Sequence, residues 1–344
     1  MKLASFVLAL ACIAPLLRAQ DLPEDGPTND KARKTYRGAV EYLSKHNTGA
    51  ALDAFRKADK QDGGQCRACK KMTVRYGLEL HEWKTAQTAA EEMVVQAQGP
   101  KDTAIAHYHL GVVLFDVGVD KHKDEIFTKA HEEFGKTLAD MPSFPQAVLA
   151  DGRALAYLKQ DDAAKARFQQ FVEMKPKEGP EKQRVLRYIS EPALARERMA
   201  PAFDVTTLDG QEISLDGLQG KVVLIDFWAT WCGPCRAALP HVREIARKFQ
   251  GQPLVVLSVS VDSDESKWKE FIAKNEMTWP QYFDGGFNGH VAKMFDVHAI
   301  PNTFTIDADG VLQDEHIGDA SIEGKLKKLV KRAAEVQAAA IPRQ

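Results

Sequence analysis

Two pairs of cysteines are the residues of this sequence whose type and spacing could do chemistry. Cys232 and Cys235 bracket a Gly-Pro dipeptide, and Cys66 and Cys69 repeat the same spacing in the other half of the chain. A disulfide between cysteines so close together closes too small a loop to stabilise a fold much. The spacing therefore favours redox or metal chemistry over simple cross-linking.

The segment over residues 222–236 reads VVLIDFWATWCGPCR, which predicts a buried strand, a turn and the start of a helix. Cys232 is thereby placed at a helix N-terminus, where unpaired N–H groups and the helix dipole favour a thiolate. We therefore expect Cys232 to be a nucleophile. Asp226 is a lone charge within the apolar strand, and burial without a partner should raise its pKa.

The region after residue 200 alternates between short apolar runs and amphipathic stretches, as is typical of an α/β domain. A hairpin is predicted over residues 203–215. Strands are predicted over residues 222–227, 254–261, 303–306 and 311–317, and helices over 234–249, 265–275, 288–295 and 322–337.

This order of elements, with W-C-G-P-C at the first strand-to-helix junction and Pro301 just before a later strand, resembles the thioredoxin fold. The leading P-A-F hairpin and the long insert before Ile300-Pro301 resemble exported thioredoxin-like disulfide reductases, a group that includes the haem-maturation reductases. The resemblance covers about residues 200–336. It implies that the Ile300-Pro301 bond is cis, that Pro301 lies against the cysteine pair, and that Ile300 offers a backbone edge to substrate.

Each residue around the motif has an expected task. Gly233 permits the tight turn, and Pro234 suits the first helical turn because it has no N–H to lose. We expect Cys232 to be exposed beside Trp231 and to attack. Cys235, one turn further along and more buried, is expected to resolve the mixed disulfide.

Asp226 is the candidate general base that deprotonates Cys235 through water. The alternative is a structural carboxylate that accepts hydrogen bonds from the backbone. Two departures from the haem-maturation reductases stand out, because Ala238 replaces their glutamate and Ile300 replaces their threonine. Both favour a general thioredoxin role. A peroxiredoxin needs Pro-x3-Thr-x2-Cys, and Thr230 lies at the wrong distance from the first cysteine, so a peroxidase is not expected.

The first half of the chain is rich in Ala, Lys, Glu and Leu at helical spacing and contains a repeated small-x3-aromatic or small-x3-small pattern. Its anchors are Ala51-x3-Phe55, Ala86-x3-Ala90, Ala130-x3-Phe134 and Ala164-x3-Phe168, separated by 35, 44 and 34 residues. This resembles the tetratricopeptide repeat, which implies a solenoid with a concave groove for a peptide or protein. A plain helical bundle is the alternative.

Cys66 and Cys69 fall where a loop enters a helix of this repeat region. Three interpretations stay open: a local disulfide, a second redox centre that exchanges with Cys232 and Cys235, or free thiols. Zinc is not expected, because no neighbouring cysteine or histidine pair completes four ligands. Covalent haem is not expected either, because Lys70 occupies the position of the histidine in the attachment motif.

The first residues indicate export. Residues 1–19 have a charged start, an apolar run and a small-residue cleavage site, which predicts a signal peptide; lipid attachment at Cys12 is the alternative that we do not favour. No later stretch has the ~20 apolar residues of a membrane helix. Loss of Lys2 and Arg18 changes the formal charge from −2 to −4, and a chain without a basic face is not expected to bind nucleic acid.

The sequence thus predicts an all-α tetratricopeptide-like helical solenoid followed by an α/β thioredoxin fold. The boundaries are residues 28–190 for the helical domain, 191–201 for a linker and 202–337 for the thioredoxin-like domain. We predict a periplasmic or extracytoplasmic thiol–disulfide oxidoreductase that needs no cofactor or metal. It would reduce protein disulfides, take electrons from an unidentified membrane or periplasmic donor, and recruit partners through the repeats. A non-catalytic scaffold with a redox-sensing domain, or a disulfide oxidase or isomerase, is the alternative.

Overall fold

The computed structural model describes residues 23–45, 47–317 and 322–340, so the predicted signal peptide and Cys12 lie outside the described residues. The chain divides into two compact units, one formed by residues up to Glu178 with Arg184–Arg196, the other by Gly179–Gln183 with Glu197 onwards. The first is helical and the second contains a mixed sheet, which confirms the predicted order of fold classes. The predicted domain boundaries stay a prediction.

The first part of the chain is a series of α-helices, in which each of the first seven contacts the next and the last two meet at the rings of Phe168 and Tyr188. They are α1 (Asp30–Ser44), α2 (Thr48–Gln61), α3 (Arg67–Glu79), α4 (Trp83–Gln96), α5 (Pro100–Lys121), α6 (Asp124–Asp140), α7 (Pro145–Tyr157), α8 (Asp161–Glu173) and α9 (Pro180–Ser190). A short 3-10 helix, Pro192–Arg196, follows and contacts α7. The helices fit a helical repeat region.

Small and aromatic residues explain why these helices pack closely. A Cβ atom on Gly111 of α5 would lie 2.6 Å from the ring of Phe134 in α6, and one on Gly152 of α7 would lie 2.7 Å from the ring of Phe168 in α8. Only glycine, which has no Cβ atom, leaves room for the phenylalanine ring against the backbone of the neighbouring helix. The predicted anchor phenylalanines are therefore buried where consecutive helices meet.

The second unit is built on a hairpin and a five-stranded sheet. Its elements are β1 (Asp204–Thr206), β2 (Glu212–Ser214), β3 (Val222–Trp228), α10 (Gly233–Lys248), β4 (Leu254–Ser260), α11 (Glu265–Lys274), β5 (Gln281–Phe283), α12 (His290–Met294), β6 (Asn302–Ile306), β7 (Leu312–Ile317) and α13 (Glu323–Ala340). The prediction missed β5. That strand has three residues and begins with the buried polar Gln281, so it lacks an apolar run.

The strand order β5-β4-β3-β6-β7 brings several loops to one edge of the sheet. Strands β3, β4 and β5 are parallel, whereas β6 runs antiparallel to β3. The loops after the three parallel strands and the segment before β6 therefore leave from one edge of the sheet. Every residue of β3 is buried, which explains its continuous apolar sequence.

Both outer strands of the sheet form hydrogen bonds with segments that precede β3. Leu312 N–H, on β7, donates to the carbonyl of Arg198 over 2.7 Å, and Met199 forms a β-bridge with Val311. On the other side, Leu208 N–H donates to the carbonyl of Gln281 in β5 over 2.8 Å. The residues just before the hairpin and the hairpin itself thus cover part of each edge.

Within the described ranges, every helix is too short or too polar to traverse a lipid bilayer.

Candidate active site

The Cys232–Cys235 disulfide lies at the start of α10, just after the loop that follows β3. Cys232 is the N-cap residue of α10, and its Sγ accepts the N–H of Cys235 over 3.1 Å. Pro234 lies in the first turn, where the helix needs no N–H from it. The loop and helix start therefore place both sulfurs at the carboxyl edge of the central strand.

The predicted exposure of the two cysteines is wrong. Cys232 and Cys235 are each only 5% exposed, so the first is not the exposed thiol and the second is not the more buried one. The physical reason is the disulfide, in which each sulfur covers the other and both join the apolar core of the unit. Trp231, at 60% exposed, together with Gly233 and Pro234 forms the accessible rim instead.

Asp226 lies in the middle of β3, paired in register with Ser258 of β4 and Thr303 of β6. Burial raises the pKa of its carboxyl to about 6, and a hydrogen bond of 3.2 Å from the Ser258 hydroxyl to Oδ2 opposes that rise. The expected upward shift is confirmed. The hydrogen-bond partner is a side chain, whereas the structural alternative expected backbone donors.

Ile300 and Pro301 lie at the same edge of the sheet as the disulfide. The Ile300-Pro301 bond is cis, as the resemblance implies. Because Phe227 pairs with Asn302, Pro301 falls beside the last residue of β3, next to the start of the cysteine loop. Pro301 is buried, and the half-buried Ile300 packs against the core cluster that contains both cysteines.

Asp262 is a residue of the site that sequence reasoning missed. Its carboxylate accepts the N–H of Thr230 over 2.9 Å and the Thr230 hydroxyl over 2.7 Å. It also accepts the Ser260 hydroxyl over 2.7 Å. The loop that ends at Cys232 is thus tied to the end of β4. An acidic residue directly after an apolar strand, at the edge where the cysteines lie, was the available signal.

Ser258 and Trp279 were also missed. The indole Nε1–H of Trp279 donates to the Ser258 Oγ over 2.8 Å, and the Ser258 hydroxyl donates to Asp226. The side chains of all three residues are buried. The signal was a serine inside the apolar run of β4, since a buried hydroxyl needs a hydrogen-bond partner.

Cys66 and Cys69 lie in the helical unit, where the structure records them as a disulfide. Cys66 is the N-cap residue of α3, and its Sγ accepts the N–H of Cys69 over 3.2 Å. Across the described residues, no cluster of three or more His, Cys, Asp or Glu side chains could hold a metal ion.

A thioredoxin fold with a Cys-x-x-Cys disulfide at the start of a helix and a cis-proline at the same edge defines a thiol–disulfide oxidoreductase domain. Residues 197–315 match the AhpC/TSA family. The chain is 32% identical over 133 residues to the thiol-disulfide oxidoreductase ResA of Bacillus cereus, covering 38% of this chain and 76% of that protein. It is 34% identical over 136 residues to the thioredoxin-like protein YneN of Bacillus subtilis, covering 38% and 77%.

Among solved structures, the thioredoxin domain of a Bacteroides vulgatus thiol-disulfide oxidoreductase is 25% identical, with 39% of this chain and 96% of that one covered and a TM-score of 0.36. A TM-score of that size adds nothing to the assignment, which follows from the sequence relatives. The chain belongs to the family of ResA-like thiol-disulfide oxidoreductases. The helical unit lies before the residues that match the AhpC/TSA family.

Proposed function

We propose that this oxidoreductase reduces disulfides of other proteins through Cys232 and Cys235 in an extracytoplasmic compartment. The observation that carries the proposal is the disulfide at the N-terminus of α10, bordered by the exposed Trp231 and Gly233. Two-electron reduction of that bond by an external dithiol donor gives a Cys232 thiolate at a helix N-terminus, where the dipole and the Cys235 N–H stabilise it.

The reaction transfers two electrons from the dithiol to the substrate. The Cys232 thiolate attacks one sulfur of the substrate disulfide, a mixed disulfide forms, and the other substrate sulfur leaves as a thiolate that takes up a proton. Asp226 accepts the proton of the Cys235 thiol through water. The Cys235 thiolate then attacks the Cys232 sulfur, which releases the second substrate thiolate and forms the enzyme disulfide. An external dithiol donor, at the membrane or in the periplasm, restores the reduced enzyme.

Two walls of the site would hold a substrate polypeptide. Trp231 offers exposed apolar surface beside the nucleophile. Gly233 and Pro234 are exposed and have small side chains, so they do not block a substrate from reaching the sulfurs. Ile300 and the cis Pro301 supply the opposite wall, where the backbone of Ile300 can pair with an extended substrate segment. Ala238, in place of an acidic residue, supports general protein disulfides as substrates over cytochromes alone.

The helical unit is proposed to recruit protein partners through a groove of tetratricopeptide type, and residues 1–19 are proposed to direct export. Stacked helix pairs joined by close glycine–phenylalanine contacts support the first part. The second rests on the charged and apolar pattern of those first residues. Removal of the helical unit should leave the reduction of a small disulfide intact and weaken the reduction of the natural client.

Reduction of insulin disulfides by the whole protein, with Cys232→Ser as the comparison, tests the activity. We expect turnover by the wild type and none by the variant. An inert wild type would favour a scaffold with a redox sensor. The direction is tested by the reduction potential, which we expect near the thioredoxin value of about −270 mV, whereas about −120 mV would indicate an oxidase.

The Cys235→Ser variant can identify the client protein, because it keeps the nucleophile and removes the resolving thiol. The mixed disulfide then persists, and mass spectrometry of the trapped pair identifies the protein attached to Cys232. The Cys232→Ser variant is the control, because it lacks the attacking sulfur. Equal trapping by both variants would show that capture is unrelated to the proposed mechanism.

A further inference from the structure

A chain of two hydrogen bonds connects the edge of the sheet to Asp226. The Trp279 Nε1–H, just before β5, donates to the Ser258 Oγ over 2.8 Å. The Ser258 hydroxyl in turn lies 3.2 Å from Asp226 Oδ2. Ser258 is fully buried, so water does not compete for its hydroxyl. Its backbone N–H donates to the carbonyl of Pro280, which fixes Trp279 and Ser258 side by side.

The chemistry of the two side chains fixes the direction of these bonds. An indole N–H can only donate, so the Ser258 oxygen must be the acceptor from Trp279. A hydroxyl has one hydrogen, and that hydrogen is then free to point at Asp226. A donor aimed at a carboxyl group favours the carboxylate over the neutral acid. Trp279 therefore determines which state of Asp226 the serine stabilises.

We propose that Ser258, oriented by Trp279, is a positioning residue that holds Asp226 as the proton-accepting carboxylate during exchange at Cys235. The proposal rests on the proposed role of Asp226 as the base. Ser258 touches neither substrate nor sulfur in this scheme and acts through Asp226 alone.

Ser258 is the main polar influence on the pKa of Asp226, because the other surroundings of this carboxyl group are apolar or uncharged. Its neighbours in register are Ser258 and Thr303, neither of which carries a charge. The helices of this unit contribute buried residues to the same core cluster, and these are apolar apart from one cysteine: Cys235, Leu239, Val242 and Ile245 from α10, Trp268 and Ile272 from α11, Val291 and Ala292 from α12, and Leu326, Val330 and Ala333 from α13. Burial and the Ser258 hydrogen bond are the influences on the carboxyl pKa, and they oppose each other.

The test is a pair of pH titrations on the full chain. NMR of the Asp226 carboxyl carbon gives its midpoint, and single-turnover reduction of a model disulfide gives the pH dependence of the rate. Loss of a hydrogen bond to a charged group in Ser258→Ala should move both midpoints upward by about one pH unit. Trp279→Phe should move both in the same direction by less, because the hydroxyl remains but can rotate.

Ser260→Ala is the matched control for the carboxyl titration. It removes a hydroxyl from the same strand, but that hydroxyl bonds Asp262. We expect the Asp226 midpoint to stay unchanged in this variant. An unchanged Asp226 midpoint in Ser258→Ala overturns the proposal, and so does a midpoint that moves in the NMR titration but not in the rate.

Asp226→Asn separates this inference from the proposed function. A variant that exchanges disulfides as fast as the wild type at every pH removes the role of Asp226 as a base, and the inference falls with it. A slow Asp226→Asn together with an unshifted Ser258→Ala removes the inference alone and leaves the proposed mechanism in place.

Discussion

The two disulfides of this protein share their spacing and their position at the start of a helix, and they differ in what surrounds them. Cys66 and Cys232 are both N-cap residues whose sulfurs accept the N–H of the cysteine three residues later, over 3.2 and 3.1 Å. The Cα atoms are 5.2 Å apart in the helical unit and 5.3 Å apart in the thioredoxin unit. Local geometry therefore does not distinguish them.

Access does distinguish them. Cys66 and Cys69 have no exposed surface, and the N–H of Ala68 between them donates to the carbonyl of Asp25 over 2.9 Å. The next residue, Lys70, is itself buried and paired with Asp59 over 2.6 Å. The equivalent stretch of the thioredoxin unit leaves its intervening residues exposed. A thiol must be reached in order to exchange, so the same spacing supports a local cross-link in one unit and a reactive pair in the other.

The largest expected difference is in reduction by added thiols. Treatment with dithiothreitol, followed by alkylation and mass spectrometry, should label Cys232 and Cys235 under conditions that leave Cys66 and Cys69 unlabelled. The reason is the complete burial of the second pair. Simultaneous labelling of both pairs in the folded protein would mean that the helical-unit disulfide also takes part in exchange.

A change at Lys70 should affect stability without affecting chemistry. Its ammonium contacts Asp59, Glu92 and the carbonyl of Gly64, and its side chain is 2% exposed. Lys70→Met leaves these acceptors without their cation, which should destabilise the helical unit by about 3 kcal/mol in urea unfolding.

The matched control is Lys45→Met, which breaks the exposed pair with Glu41 and should leave unfolding unchanged. Insulin reduction by both variants should equal that of the wild type. Loss of activity in Lys70→Met, with the fold intact, would connect the buried disulfide region to the reaction.

The buried carboxylate of the active site should cost stability. The pKa of Asp226 is about 6 in the fold against an ordinary value of 3.8. Between these two pH values the native state therefore holds a proton that the unfolded state has lost. Stability is then greatest below the lower value and falls as pH rises through the higher one. Asp226→Asn should stabilise the thioredoxin unit by about 3 kcal/mol at pH 7.5 and hardly at all at pH 3.5.

Asp62 in the helical unit provides the opposite case. Burial works against its ionisation, but hydrogen bonds from Thr28 and Asn29 to its carboxylate lower its pKa overall. Asp62→Asn should therefore destabilise the protein at pH 7.5. A gain in stability for Asp62→Asn, or none for Asp226→Asn, would contradict the contrast between a structural and a reactive carboxylate.

The smallest effect is expected at the loop that presents Cys232. Asp262→Ala removes the acceptor of the Thr230 N–H and hydroxyl, so the loop before the proposed nucleophile loses its attachment to the end of β4. We expect about a tenfold slower insulin reduction, since one to two kcal/mol of positioning is lost. Asp264→Ala, which removes the exposed cap of α11 and its ion pair with Lys267, is the control and should leave the rate unchanged.

Features carried by one continuous stretch could be predicted from the sequence. The sequence of residues 222–236 predicts the strand, the turn and the helix in order. The lone charge of Asp226 among apolar residues already indicates a raised pKa for its carboxyl group. The anchors Phe134 and Phe168 likewise follow from their spacing and are buried.

Features that depend on pairs distant in sequence could not be predicted. Ser258 and Asp226 are neighbours only because β4 lies beside β3, and Thr230 reaches Asp262 for the same reason. The equal burial of Cys232 and Cys235 follows from the bond between them, which motif spacing alone does not specify. Strand β5 was missed because strand propensity is weak evidence over three residues.

The segment Glu197–Pro201 gives the thioredoxin unit a protected border. An uncovered outer strand presents free N–H and C=O groups to any passing chain and is a site of aggregation. Beside the outer strand β7, the Leu312 N–H donates to the carbonyl of Arg198, and the Gly310 carbonyl accepts the N–H of Ala200. A fragment cut at residue 202 would uncover that border and should self-associate, whereas one that starts at residue 197 should remain monodisperse.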